Sequence, residues 1–264
     1  MLYERWSIIT LNQTCRMALL FFSMIITHMS LTAKSRNVVR HYLDTDLKGT
    51  SNAQLKVFFI SDIHRRKINH KLLKKIDKDI DIVIIGGDLA EKNVPLSRIS
   101  KNIQNLSRLG QLFFVWGNND REVGENEIRK IIARYNGIIL DNENCQIPGQ
   151  PGWGICGTDD PSSENVNVEA TLRNIKQYEK VIFVSHQPCV LKKIECLFEP
   201  TIMLAGHTHG GQIRMGKYGI AQKGYFRKSY GRAKLISNGY GTTKIPLRFG
   251  APPECHIITL HFRR

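Results

Sequence analysis

At 264 residues, 42% of them hydrophobic, the chain can enclose one substantial core or two small ones, and one domain with an N-terminal appendage is expected. Lysine and arginine number 38 against 23 acidic residues, and the resulting +15 is spread along the chain, which favours anionic partners without choosing among solvent, anionic lipid and nucleic acid. Cysteines at 15, 145, 156, 189, 196 and 255 contain no C-x-x-C pair, which argues against a disulfide framework and leaves reduced, mostly buried thiols as the expectation.

The first element is the apolar run Met17 to Ile26, MALLFFSMII, which reaches Leu31 if Thr27, His28 and Ser30 are tolerated. A crossing needs about 20 apolar residues and a signal-peptide core roughly 7–15, so the run is short for a span. Leu31-Thr32-Ala33 is a poor cleavage site, and an uncleaved membrane anchor over residues 17–31 is the expectation. Lys34, Arg36, Arg40 and Lys48 outnumber Arg5 and Arg16 before the run, which by the positive-inside tendency leaves the large domain cytoplasmic; export as a signal-bearing precursor is the alternative. Residues 1–54 read as an anchor or signal-like segment plus polar linker, and residues 55–264 as the catalytic domain.

From Leu55 onward, apolar runs alternate with charged, periodic segments. Leu55 to Ile60, Ile80 to Ile85, Gln111 to Trp116, Val181 to Val184 and Thr201 to Leu204 have the continuous apolar character of strands buried on both faces. Lys71 to Asp79 and Leu96 to Leu109 space leucine and isoleucine as helices do, and the chain closes on strand-like Ala233 to Ser237 and Cys255 to Phe262. This alternation predicts a mixed α/β sandwich.

Each strand-like run from Leu55 to Leu204 is followed by a polar cluster: Ser61-Asp62-Ile63-His64, Gly86-Gly87-Asp88, Gly117-Asn118-Asn119-Asp120, Ser185-His186, and Gly206-His207-Thr208-His209. Loops leaving the carboxyl ends of separate strands converge at one sheet edge, so distance in sequence is no obstacle to a shared site. Asp62 and His64, two apart, can point the same way and clasp one metal, and Asp88 can offer an oxygen to each of two cations. This mixed imidazole and oxygen set suits divalent Mn, Zn, Fe or Ni.

In order and residue type the series resembles the calcineurin-like metallophosphoesterases, which carry D-x-H, G-D, G-N-H-D, H and G-H-x-H. The resemblance implies a four-layer α/β/β/α sandwich of two mixed β-sheets flanked by helices. It also implies two divalent metal ions, one held by Asp62, His64, Asp88 and His209 and the other by Asp88, Asn118, His186 and His207, with a bridging hydroxide attacking a phosphoester or phosphoanhydride. Gly157 to Pro161, Gly206 to Gln212 and Pro246 through Glu254 resemble a bacterial, membrane-associated branch, whose better-understood members act on phospholipids or nucleotide-linked lipids.

One position departs from that pattern, because Asn119 stands where the family carries histidine. The resemblance places residue 119 near the leaving-group oxygen, held by Asp120, so Asn119 and Asp120 are the expected catalytic pair, with Asn119 able to donate a hydrogen bond but no proton. General-acid help is worth about 10²–10⁴ in rate, so a phosphodiester or pyrophosphate is expected over a simple monoester, and the resemblance to that branch extends the expectation to lipid-linked ones. Arg65 and Arg66, beside His64, are candidate substrate-phosphate contacts, whereas Glu91 reads equally as a ligand orienter and a solvated loop carboxylate. A metal-binding scaffold with little catalysis and a nuclease of the same fold are the rival readings; with no interleaved aromatic and basic platform beyond Tyr225 to Tyr230, nucleic acid is the less expected partner, after a phosphorylated small molecule or lipid.

Overall fold

The computed structural model describes residues 2–46 and 54–263, with side chains over 13–45 and 54–261. Helix α1 (Leu2–Ala33) leads into β1 (Asn37–Asp46), and β2 (Gln54–Ile60), α2 (His70–Leu73), β3 (Ile82–Gly86), α3 (Leu96–Leu106) and β4 (Gln111–Val115) follow. The middle of the chain forms α4 (Glu125–Arg134), β5 (Ile138–Ile139), β6 (Glu143–Gln146), β7 (Trp153–Gly157), α5 (Val168–Thr171), β8 (Lys180–Val184), α6 (Pro188–Glu195) and β9 (Ile202–Ala205). Two short strands, β10 (Arg214–Met215) and β11 (Tyr218–Gly219), precede β12 (Tyr225–Ser229), β13 (Arg232–Ile236) and β14 (Glu254–Arg263).

Two six-stranded mixed sheets result, ordered β1-β14-β2-β3-β4-β5 and β12-β13-β9-β8-β7-β6. Side-chain alternation along each strand divides the apolar residues among three seams. Phe58, Ile60, Val83 and Ile85 pack outward against Leu72 of α2, Ile99 and Ile103 of α3 and Ile128 and Ile132 of α4. Their neighbours Val57, Phe59, Ile82 and Ile84 face the opposite way and meet Ile155, Ile182, Val184 and Leu204 of the second sheet. Phe183, Val181 and Met203 turn to the far side, against Val190, Leu191 and Ile194 of α6. Three seams between four layers are the α/β/β/α sandwich, and the doubly apolar strands are those whose two faces are both buried.

Part of the expected linker is strand. Residues 37–46 form β1, parallel to β14 over ten pairs from Asn37↔Glu254 to Asp46↔Arg263, so the first sheet already begins at Asn37, ahead of Leu55. As an edge strand broken by Arg40, His41 and Asp44, it lacks the continuous apolar character of a buried strand. Lys71 to Asp79 is helical only to Leu73; Asp77 and Asp79 instead reach Arg40 at 2.8 Å and Lys56 at 2.5 Å. No disulfide occurs among the described residues, and Cys15, Cys189 and Cys196 are exposed, against the expectation of mostly buried thiols.

Thr27, His28 and Ser30 remain helical, so the apolar stretch of α1 spans Gln13–Ala33, 21 residues of mean hydropathy 1.4 with almost nothing buried, long and apolar enough to cross a membrane. Its end is docked: Ala33 is buried, the Met29 carbonyl accepts from Arg248 N–H at 3.1 Å, and His28 meets Phe249 edge-on with ring centres 6.3 Å apart. Two cations of the sidedness argument, the Arg5 side chain and Lys48, lie outside the described residues.

Candidate metal centre

All seven expected ligands follow the carboxyl ends of β2, β3 and β4 in the first sheet and of β8 and β9 in the second. The backbone there is unusual. Asp62, His64, Asp88, His207 and His209 all have positive φ, between 50° and 69°, a left-handed conformation costing L-residues about 1–3 kcal/mol each. Gly87, also at positive φ, lets His186 close in, since a Cβ there would come within 2.5 Å of the ring.

On one side of the site, His64 Nε2 lies 3.0 Å from His209 Nε2, His209 Nε2 lies 3.3 Å from Asp62 Oδ1, and His64 Nε2 lies 3.6 Å from Asp88 Oδ2. On the other, His186 Nε2 lies 3.4 Å from the same Asp88 Oδ2 and 3.2 Å from His207 Nδ1, which is 3.0 Å from Asn118 Oδ1. Asp88 therefore stands between the two donor groups. Candidate donor atoms of Asp62, His64 and His209, and of Asp62, Asp88 and His186, lie within 4.8 Å of one another, all on buried residues.

The donor set fits cations. Burial opposes the charge of every group, yet Asp62 is pulled far below the carboxylate range by His209 and its neighbours, and Asp88 to about 2 by His186. Burial likewise opposes the His186 imidazolium, but Asp88 and Asp62 hold it up at about 10. A site of buried carboxylates that draws protons onto adjacent imidazoles is one that demands positive charge, which divalent ions supply with better geometry.

Two charged groups outside the expected ligands stand against the rings. Glu91 Oε2 lies 3.1 Å from His64 Nδ1, so the residue read equally as a solvated loop carboxylate is the carboxylate behind that ring, and Arg65 pairs with its other oxygen. Arg248, fully buried, contacts His209 Nδ1 at 3.1 Å and donates to the carbonyls of His209 at 3.1 Å, Ala251 at 2.9 Å and Asn238 at 2.8 Å. Sequence reasoning did not assign Arg248 to the site, although it sits in the Pro246-to-Gly250 motif.

Three expected site residues are engaged by neighbours. Asn119 turns to Asp88, its backbone N–H donating to Oδ1 at 2.9 Å and its side-chain amide to Oδ2 at 2.7 Å. Without a histidine to hold, Asp120 accepts from the backbone N–H of Asp88 at 2.9 Å, Gly117 at 2.8 Å and Ala90 at 3.1 Å; it rivets two ligand loops and, fully buried beside Asp88, is raised to about 7. Arg66 is not free for a substrate phosphate: it stacks on Tyr240 at 3.9 Å and donates to the carbonyls of Lys34, Ser35 and Tyr240, pinning the end of α1. Arg65, exposed but paired with Glu91, keeps one face to solvent. In the Gly157-to-Pro161 motif, Asp159 takes Arg121 bidentately at 2.7 and 3.0 Å, tying the end of β7 to the loop after β4.

The family model for calcineurin-like phosphoesterases matches residues 55–211. The Bacillus subtilis protein YpbG is 42% identical over 236 residues, covering 88% of this chain and 90% of its own length. A Helicobacter pylori metallophosphoesterase is 26% identical over 224 residues, covering 78% of this chain and 60% of that protein. A solved 5'-nucleotidase precursor from Thermus thermophilus is 12% identical, with a TM-score of 0.49 over 79% of this chain and 54% of its own. With more than half of its length matched by that family model and the motif residues gathered at one sheet edge, the chain belongs to the calcineurin-like phosphoesterase family.

Proposed function

We propose that the chain is a dinuclear-metal-dependent phosphohydrolase acting on a phosphodiester or pyrophosphate, carried on a lipid. The observation that carries the reading is Asp88 Oδ2, 3.6 Å from His64 Nε2 and 3.4 Å from His186 Nε2, with further donors behind each ring. Asp62, His64, Asp88 and His209 would hold one ion, and Asp88, Asn118, His186 and His207 the other. When bound, such a pair supplies charge neutralisation for the phosphate and an acidified water for in-line attack.

The chain's own residues set up the rest. Asn119 fixes the Asp88 carboxylate through two hydrogen bonds, and Asp120 holds the loops of Asp88 and Gly117 in register. Since the position of the family's histidine is an amide already donating to Asp88, this chain offers no proton there to a leaving group, which supports substrates whose leaving group departs without one. The α1 stretch Gln13–Ala33, docked beside the site through Arg248 and Arg66, supports a lipid-borne substrate.

The test is turnover of the Mn²⁺-loaded full chain on bis(p-nitrophenyl) phosphate, p-nitrophenyl phosphate and a lipid pyrophosphate. The expected order puts the diester and pyrophosphate above the monoester. A preference for the monoester would refute the substrate class, and turnover that survives full metal removal would refute the mechanism.

A further inference from the structure

Just past His209 the chain exposes an apolar cluster that neither the core nor the metal centre uses. Met215 is 74% exposed, Tyr218 72% and Ile220 94%, with Ile213 and Phe249 beside them, all on or around the β10–β11 hairpin. Single exposed apolar residues are ordinary, but several on one short hairpin mark a surface with an occupant.

The hairpin is held firmly. Arg214, itself buried, donates to the carbonyls of Gly210 at 2.9 Å, Gly216 at 3.0 Å and Lys217 at 3.0 Å, fastening the turn to the loop that carries His207 and His209. A second run of contacts joins it to α1: Arg214 N–H donates to Phe249 O at 2.9 Å, Phe249 meets His28, and Arg248 N–H donates to Met29 O. The exposed hairpin residues thus adjoin the end of the apolar helix, whose Phe22, Met24 and Leu31 are exposed as well.

We propose that the β10–β11 hairpin is a second membrane contact, which beds into an anionic bilayer beside α1 and keeps the loop of His207 and His209 at the lipid surface. Lipid is the occupant that matches the charge: Lys217 lies within the cluster, its Nζ 5.4 Å from the Tyr218 ring, and Lys223 and Lys244 are exposed nearby. Apolar side chains enter the acyl boundary while tyrosine and lysine stay at the phosphate level, the usual division at a membrane interface. Resting on the proposed hydrolase activity, the same placement makes the substrate a phosphoester presented at the bilayer surface.

Ile220→Trp and Tyr218→Trp variants of the full chain, reconstituted into phosphatidylcholine and phosphatidylglycerol vesicles with brominated acyl chains, test the contact directly. Leu197→Trp, an exposed position in the turn after α6, is the control, and the unsubstituted chain gives the background of Trp6, Trp116 and Trp153. The expected result is loss of emission at residues 218 and 220 beyond that background, with none at 197. Equal quenching at 220 and 197 would overturn the proposal, as would a blue shift without quenching, which reports burial against protein. Because no turnover is read, failure here is distinct from failure of the hydrolase reading.

Discussion

Asp88 faces both donor groups, and Asn119 donates to both of its carboxylate oxygens. Asn119→Ala should weaken metal affinity about 10–100-fold, as loss of an outer-shell partner does, read by titration calorimetry with Mn²⁺. Glu91→Gln should do the same through His64. Asp120→Ala strands three buried N–H groups at about 1–3 kcal/mol each and should lower the urea midpoint well beyond what either of those variants does. The candidate ligand types were legible because each follows an apolar run; the direction of Asn119 was not, because an amide can donate either to a substrate or to the neighbouring carboxylate, and only packing decides. Arg248 was illegible as a buried residue and Arg66 as the tether of α1, since arginine is rarely enclosed and the partners of both are backbone carbonyls that no motif reveals.

Among the elements, β2, β3, β4, β8 and β9 could be read directly, being enclosed on both faces and therefore apolar throughout. The edge strand β1 could not, and its anchoring carries a pH dependence. His256 is buried, with Nδ1 3.1 Å from His41 Nε2 and Nε2 2.9 Å from Ser237 Oγ. Burial lowers His256 to about 3 and His41 to about 4 from an ordinary 6.5, with Lys228 adding to the effect on His41. The folded state therefore keeps both rings neutral while the unfolded chain takes up protons, so stability is full above pH 6.5 and is lost as pH falls towards 4. The His256 contribution should change by about 1.4 kcal/mol per pH unit in that window. Urea midpoints measured from about pH 7.5 down to about pH 4.5 should fall less steeply in His256→Asn than in the unsubstituted chain; parallel curves would remove this pair as the cause.

For the molecule as a whole, ion binding and folding should be coupled. Five candidate ligands hold left-handed φ values in the folded chain, and carboxylates and imidazoles crowd within 4.8 Å, so cations that bind only the folded form offset those costs. At 100-fold excess over Kd, one such site adds about 2.7 kcal/mol, and chelation should lower Tm correspondingly. The +15 net charge does not choose among solvent, anionic lipid and nucleic acid; the proposed lipid contact rests instead on exposed apolar side chains beside α1, which no composition could have placed together.

The most direct measurement is an anomalous difference map of Mn²⁺-loaded crystals of the full chain, with elemental analysis of the same protein. Two peaks about 3.5–4 Å apart should flank Asp88 Oδ2, one against His64 and His209 and the other against Asn118, His186 and His207, both weakened in Asp88→Asn. A lone peak, or ions bound away from Asp88, would contradict a two-ion centre there.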